Sequence, residues 1–480
     1  MTTGLTHESD SLKGSLVVIG LGIVALVGIS LTSELHAAIG LLVLISLMLS
    51  AFPNARMGIL ILLLPFAHAG LGLEPLRGFG SYDIYAGLFL IIFVLRFISR
   101  DLFTSRRIPV LGYTGIMFIC FVPSLLNSID LTVSAIAFIQ FLVSALTAAG
   151  VCYYLIQESN QKIIYLLLAL FVVEAAATGA YGIYESYTSR SFMRGVTGRV
   201  FFGPFQDVNY YASYLLMAVP FALGSILLSK RFLWKVVWFF VAILLITSII
   251  STVSRAGILT LALVILSYGL YLTLVTRGPR RLLGLSVLLF FFSVVSVLLF
   301  SEAGSKLVDL FTLSRRLETV VAGRDPSLDQ RQKIFEVGTR IAIAHPFVGI
   351  GFGAFEKTFD TYRGASLSPD SPKAAHNTAL RLFAETGFVG FIPSLFFALV
   401  VRRFLFKAYR KIPDERHRIM MGSVILSLFS FFLMSLTLDA MFEPHFWVML
   451  GIAVASASKY IEQDSKPSPI GMAVQNHDFR

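Results

Sequence analysis

The stretch LTVSAIAFIQFLVSALTAAGVCYYLI, residues 131–156, contains no charged side chain. An α-helix rises about 1.5 Å per residue, so about 20 apolar residues cross the ~30 Å hydrocarbon core of a bilayer. This stretch therefore predicts a transmembrane helix. The whole chain shares its character, since 56% of residues are hydrophobic and only 14% are charged, against about 25% charged in soluble domains. A soluble globular fold is excluded.

Working outward from this stretch, fourteen apolar runs follow one another along the 480 residues. They predict an all-α polytopic membrane protein with about 12–14 transmembrane helices. The first run is too long for the apolar core of a signal peptide and is followed at once by a second, so we interpret it as a retained span. The runs lie near 15–33, 36–52, 57–73, 82–98, 108–126, 131–156, 163–184, 210–228, 233–252, 256–275, 282–300, 385–401, 419–438 and 444–458.

Lysine and arginine are concentrated in the short loops that follow even-numbered runs. The clusters are Arg96–Arg107, Lys230–Lys235, Arg277–Arg281 and Arg402–Arg418. Short loops rich in these residues stay in the cytoplasm, so both termini are predicted to be cytoplasmic. The net charge of +11 is interpreted as membrane orientation, and no nucleic-acid partner is expected.

This orientation divides the chain into four parts. Residues 1–300 hold eleven transmembrane helices, with a short outer loop at 185–209. A small extracytoplasmic cap at 301–384 follows, then three more transmembrane helices at 385–458 and a polar cytoplasmic tail at 459–480.

Two features are predicted within the cap. Apolar residues recur at helical spacing from Asp329 to Ala344, which predicts an amphipathic helix that ends before His345 and Pro346. The sequence GIGFGAF, residues 349–355, then predicts a tight glycine turn.

Three arginines fall in the outer loop, namely Arg190, Arg194 and Arg199. Arginine presents a planar fork of donors that matches phosphate oxygens. A loop that faces solvent or lipid headgroups is the alternative interpretation. Because the chain otherwise keeps its short-loop positive charges inside, three arginines outside favour an anion site.

Arg255 and His376 are predicted at the same outer face. Arg255 lies in a very tight turn, and an arginine at membrane depth usually has a partner or a function, although it could snorkel to headgroups. His376 precedes Asn377, a plausible N-cap, and could exchange a proton near neutral pH or simply hydrogen-bond the loop. Together with Arg199, these residues would place two cations and a titratable base at one face. Such a set would hold a lipid-linked pyrophosphate and assist the attack of a hydroxyl.

Other ionisable residues are less distinctive. Glu174 lies in the middle of a run and is either a transport residue or a satisfied contact within the bundle. Asp439, Glu443 and His445 form an outer turn that could line the site. The spacing of ligand-type residues predicts no metal site.

An ordered set of these elements resembles the O-antigen ligase and polymerase superfamily of bacterial envelope glycan enzymes. In place of the family's Asn-Pro-Asn or Asp-Pro-Asn element the chain has Gln206-Asp207-Val208-Asn209, so either Arg194 or Arg199 is the first family arginine. The set, between about 194 and 400, comprises Arg199–Asn209, Ser254-Arg255-Ala256, Arg331, HPFVGIGFGAF (345–355), His376-Asn377, Glu385, Gly387 and Gly390.

The resemblance implies an inverting, metal-independent glycosyltransferase without a cofactor, in the bacterial inner membrane and with a periplasmic active site. Its donor would be a glycan on undecaprenyl pyrophosphate, held by Arg255 and by Arg199 or Arg194. His376 would act on the acceptor hydroxyl. Supporting roles fall to Asn209, Arg331, Arg340, Asn377 and Glu385.

The acceptor decides the kind of enzyme. A ligase uses a sugar of the lipid A core, whereas a polymerase uses another lipid-linked repeat, of O-antigen or of an exopolysaccharide; the family pattern favours the ligase. Envelope glycan assembly proteins are possible partners. Two other classes stay open: a transporter or flippase of an anionic solute, which would place charges along a path at mid-membrane, and a structural subunit, which would leave the arginine–histidine set unexplained.

Overall fold

The computed structural model describes residues 53–67, 81–101, 110–157, 162–188, 205, 207–300, 326–364, 367 and 373–462. Every regular element in these ranges is helical, and fourteen α-helices are labelled in chain order. They are α1 (Pro53–Leu63), α2 (Ser81–Arg96), α3 (Leu111–Leu126), α4 (Leu131–Gln157), α5 (Lys162–Thr188), α6 (Val208–Leu228), α7 (Phe232–Ser251), α8 (Arg255–Val275), α9 (Pro279–Phe300), α10 (Pro326–Ala344), α11 (Phe355–Tyr362), α12 (Thr378–Lys411), α13 (Glu415–Ser435) and α14 (Pro444–Glu462).

The protein is an all-helical polytopic membrane protein, as predicted. Seven of the described helices are long and apolar enough to cross a bilayer, and α1 to α3 contain shorter apolar stretches. Twelve of the fourteen predicted runs coincide with described helices. The runs at 15–33 and 36–52 lie outside the described residues.

Helix α6 is at the centre of the bundle. It packs against α5, α7, α8 and α13, and the side chains from Tyr211 to Val219 are almost completely buried. Helix α7 has the opposite character, with large apolar side chains such as Phe232 and Phe240 left exposed. In a membrane protein, that exposed apolar face is the surface that meets lipid.

The cap contains its own small apolar core. Helix α10 packs on α11 and on α12, burying Ile334, Val337 and Ile341 against Phe355 and Phe359. The predicted amphipathic helix is therefore confirmed, and it begins three residues earlier than expected.

The glycine turn joins the cap to a break in α12. Helical geometry is interrupted at Gly387 (φ 57°, ψ −164°), and the turn is inserted there. The Ile350 amide donates to the Ala384 carbonyl at 3.1 Å, and the Phe388 amide donates to the Pro346 carbonyl at 2.8 Å. A Cβ on Gly387 would overlap the backbone of Phe347, so the two segments meet backbone to backbone.

The start of α4 lies at this same end of the bundle. Lys357 of the cap forms an ion pair with Asp130 at 3.6 Å, and the side-chain Nδ2 of Asn127 donates to the Gly349 carbonyl at 3.0 Å. These contacts define the cap end of the bundle.

Candidate functional site

The first part of the site is the start of α6. Asp207 is the N-cap, and its Oδ1 accepts from the Asn209 and Tyr210 amides at 2.6 and 3.3 Å. A capping carboxylate satisfies helix donors that would otherwise have no partner. Asn209, predicted as a supporting residue, is thereby held in the first turn. Arg194 and Arg199 lie outside the described residues.

The second part is the turn before α8. Ser254 is the N-cap of α8: its Oγ accepts from the Gly257 amide at 3.1 Å and donates to Oδ1 of Asn209 at 2.7 Å. Arg255 is the first residue of α8 and is half-buried. The structure thus joins two of the predicted elements through one side-chain hydrogen bond.

The third part is the entry to α12. His376 has a left-handed backbone (φ 51°), which is uncommon outside glycine. Asn377 caps α12, as predicted, by accepting from the Leu380 amide at 2.9 Å, and its Nδ2 donates to the Leu436 carbonyl at 3.1 Å. Asn377 therefore fixes the chain that presents His376.

Charged groups from three other segments act on His376. Burial lowers the pKa of the imidazole below its ordinary value, and the Arg331 guanidinium lowers this pKa further. The carboxylates of Asp439 and Asp207 raise the pKa, but their effect is smaller. The lowered pKa favours the neutral imidazole, which is the form that can accept a proton.

A buried charge cluster lies beside this histidine in the α12 sequence. Nε of Arg381 is 3.0 Å from Oε1 of Glu385, and its Nη1 is 3.6 Å from Oδ2 of Asp439. Glu385 also accepts from the Phe355 amide at 3.3 Å, so this predicted supporting residue connects the cap to α12. Sequence reasoning missed Arg381, although its i,i+4 spacing from Glu385 on a helix was a usable signal.

The turn between α13 and α14 links the starts of α6 and α12. The Tyr210 hydroxyl donates to the Asp439 carbonyl at 3.3 Å, and the Thr378 hydroxyl donates to the Leu438 carbonyl at 2.6 Å. The turn that holds Asp439, Glu443 and His445 therefore contacts the first turns of both α6 and α12.

Below that turn, three side chains form a buried group. Nδ1 of His445 lies 3.4 Å from Glu443, and its Nε2 lies 3.5 Å from the Ser213 hydroxyl.

The remaining predicted residues have other surroundings. Arg340 is exposed in the cap and donates to the Tyr362 carbonyl at 3.3 Å, with Glu336 at 3.9 Å. Glu174 is buried in α5, and neither of its carboxyl oxygens has a hydrogen-bond partner among the residues that the structure describes. No group of three or more His, Cys, Asp or Glu in the described ranges could hold a metal ion.

Residues 240–395 match the family described as O-antigen ligase, which agrees with the resemblance seen in the sequence. The match includes Arg255, Arg331, His376 and Glu385, and over these residues the chain is similar to that family. Asn209 and the outer-loop arginines precede the matched residues. No curated protein matches the chain.

Proposed function

We propose that this protein is an inverting, metal-independent glycosyltransferase of the O-antigen ligase type. The donor is a glycan on undecaprenyl pyrophosphate, and the acceptor is a hydroxyl of the lipid A core at the periplasmic face of the inner membrane. The observation that carries the proposal is the convergence of the α6, α8 and α12 starts. Their contacts bring Asn209, Arg255 and His376 to one end of the bundle.

Arg255, together with Arg199 or Arg194, binds the pyrophosphate of the donor. Its position on the first turn of α8 supports this role, because a helix N-terminus favours anions. As the bond between the anomeric carbon and the pyrophosphate oxygen breaks, the electron pair stays on that oxygen. The arginine cations stabilise the growing negative charge.

His376 acts on the acceptor. The acceptor oxygen forms a bond to the anomeric carbon from the face opposite the pyrophosphate, and its proton passes to the neutral imidazole of His376. The lowered pKa of His376 supports this role because it favours the unprotonated ring. Arg331 helps to hold the histidine in that state.

The test is an envelope glycan profile of a strain that lacks the gene, complemented with wild type, His376→Asn or Arg255→Gln. Asparagine tolerates the left-handed backbone at position 376, so His376→Asn removes the imidazole without adding backbone strain. Arg277→Gln is the matched control for Arg255→Gln, because Arg277 is an exposed arginine just after the opposite end of α8.

Wild type and Arg277→Gln should restore the glycan, whereas His376→Asn and Arg255→Gln should not. Long chains left on the polyprenyl carrier beside bare core would identify a ligase, and single repeats joined to core would identify a polymerase. Loss of an exopolysaccharide with normal lipopolysaccharide would assign a secreted polymer. Full restoration by both site variants, in correctly inserted protein, would contradict the mechanism.

A further inference from the structure

Two arginines surround one tyrosine where α1, α2 and α4 meet. Arg56 of α1 donates from Nη1 to the Tyr154 hydroxyl at 3.2 Å. The guanidinium carbons of Arg56 and Arg96 lie 5.5 and 5.6 Å from the centroid of the Tyr154 ring. Phe89 and Phe93 pack against the same ring, so aromatic side chains border the cluster of Arg56, Arg96 and Tyr154.

This cluster is rich in donors and poor in acceptors. Within the part of the chain that the structure describes, Nε of Arg56 and Nε of Arg96 are both buried without a hydrogen-bond partner, and Arg56 as a whole is only 7% exposed. The Tyr154 hydroxyl already accepts from Arg56, and its own hydrogen meets no acceptor in the described ranges. No carboxylate among the described residues pairs with either arginine.

A buried cation without a counter-ion is strongly destabilising. The buried Arg56 and the half-buried Arg96, beside a hydroxyl donor, form a recognition set for an oxyanion, and the guanidinium fork suits phosphate in particular.

The cluster lies far from the candidate glycan-transfer site. Helix α4 starts at Leu131, next to the cap contact of Asp130, and Tyr154 is 23 residues further along. At 1.5 Å per residue this is about 35 Å, which exceeds the ~30 Å hydrocarbon thickness. The cluster is therefore at the membrane face opposite the cap.

We propose that Arg56, Arg96 and Tyr154 form a binding site for a phosphate group at the membrane face opposite the cap. The phosphate belongs either to the headgroup of an anionic lipid in that leaflet or to free phosphate in solution. The proposal is independent of the glycan-transfer function.

The test uses the full chain in detergent, with thermal unfolding followed by tryptophan fluorescence. Phosphatidylglycerol, phosphatidylcholine and inorganic phosphate are titrated separately at constant ionic strength. The variants are Arg56→Gln, Arg96→Gln and Tyr154→Phe, and the control is Arg403→Gln. Arg403 is an exposed arginine on α12, so its replacement removes the same charge without touching the cluster.

We expect phosphatidylglycerol, but not phosphatidylcholine, to raise the unfolding temperature of wild type and of Arg403→Gln. Binding by Arg56→Gln or Arg96→Gln should be weaker by about tenfold or more, as expected for loss of a hydrogen bond to a charged group. Tyr154→Phe should show a smaller loss. If inorganic phosphate gives the same stabilisation, free phosphate is the ligand; if only the lipid does, the headgroup is the ligand.

A second comparison uses the stabilities of the proteins without ligand. Without any phosphate, Arg56→Gln should be at least as stable as wild type, because it removes an uncompensated buried charge. The order should reverse when the ligand is added. Equal responses of Arg56→Gln and Arg403→Gln to phosphatidylglycerol and to inorganic phosphate, or no response of wild type to either, would overturn the proposal.

Discussion

Replacement of Gly387 by alanine should loosen the connection between the cap and α12. Gly387 has φ 57° and ψ −164°, a region that is almost confined to glycine. An added Cβ would overlap the carbonyl carbon and oxygen of Phe347. These are backbone atoms, so a side-chain rotation cannot relieve the overlap. The inserted turn must move away from the helix.

The size of the effect follows from two contributions. An alanine held in this backbone region costs about 1–3 kcal/mol. Displacement of the turn breaks the hydrogen bonds from the Phe388 and Val389 amides to the Pro346 and Phe347 carbonyls, which are 2.8 and 3.1 Å long. Each contributes about 0.5–1.5 kcal/mol net. The free energy of unfolding should therefore fall by about 2–6 kcal/mol.

A titration with sodium dodecyl sulfate in mixed micelles, followed by tryptophan fluorescence, measures this free energy. The control is Gly115→Ala in α3, where a Cβ would meet no atom within 4 Å. That variant should be unchanged, or more stable by up to about 1 kcal/mol, because alanine is the better helix former. The reasoning is refuted if Gly387→Ala lies within about 0.5 kcal/mol of wild type, or if the control loses as much.

Three further changes test the site. Arg331→Gln should raise the pKa of His376, because it removes a cation that lowers it; transfer activity should then be lost at a higher pH as the medium is acidified, and a pH–rate profile will show whether the acid limb moves. Ser254→Ala should lower the free energy of unfolding by about 1–2 kcal/mol, since a helix cap is lost, and a drop below about 0.3 kcal/mol in the same detergent titration would speak against the cap. Glu385→Gln should cost about 3–5 kcal/mol by leaving Arg381 partly uncompensated; a double-mutant cycle with Arg381→Met checks this, and additive effects would exclude the coupling.

The transmembrane helices could be predicted from the sequence because crossing hydrocarbon is a local requirement. A run such as 131–156 must satisfy its own backbone polar groups, which only a helix does within one segment. The N-cap at Asn377 and the helix from Pro326 to Ala344 are also local features, and both were predicted. Hydropathy predicted only residues 385–401 of α12. It could not show the first turns of this helix, because they are polar and are stabilised by contacts with the cap.

The long-range contacts within the site could not be predicted in this way, since they join residues far apart in the chain. Asn209 accepts a hydrogen bond from Ser254, 45 residues further along the chain. Arg381 of α12 forms an ion pair with Asp439, which follows α13. A single sequence gives the side chains but not their pairing. The contact of Arg56 and Arg96 with Tyr154 could not be predicted for the same reason. From the sequence, Arg96 was interpreted only as part of a loop cluster.

The residues that match the O-antigen ligase family include both membrane-crossing helices and the cap. The matched residues, 240–395, begin within α7 and end eight residues after Gly387. The cap is held to α12 at this break by backbone contacts, and Glu385 bonds the Phe355 amide of the cap just before it. An opened junction would therefore let α12, which begins just after His376, move relative to the cap that carries Arg331. Gly387→Ala should for this reason reduce glycan transfer as well as stability, even though Gly387 makes no contact with the proposed substrates.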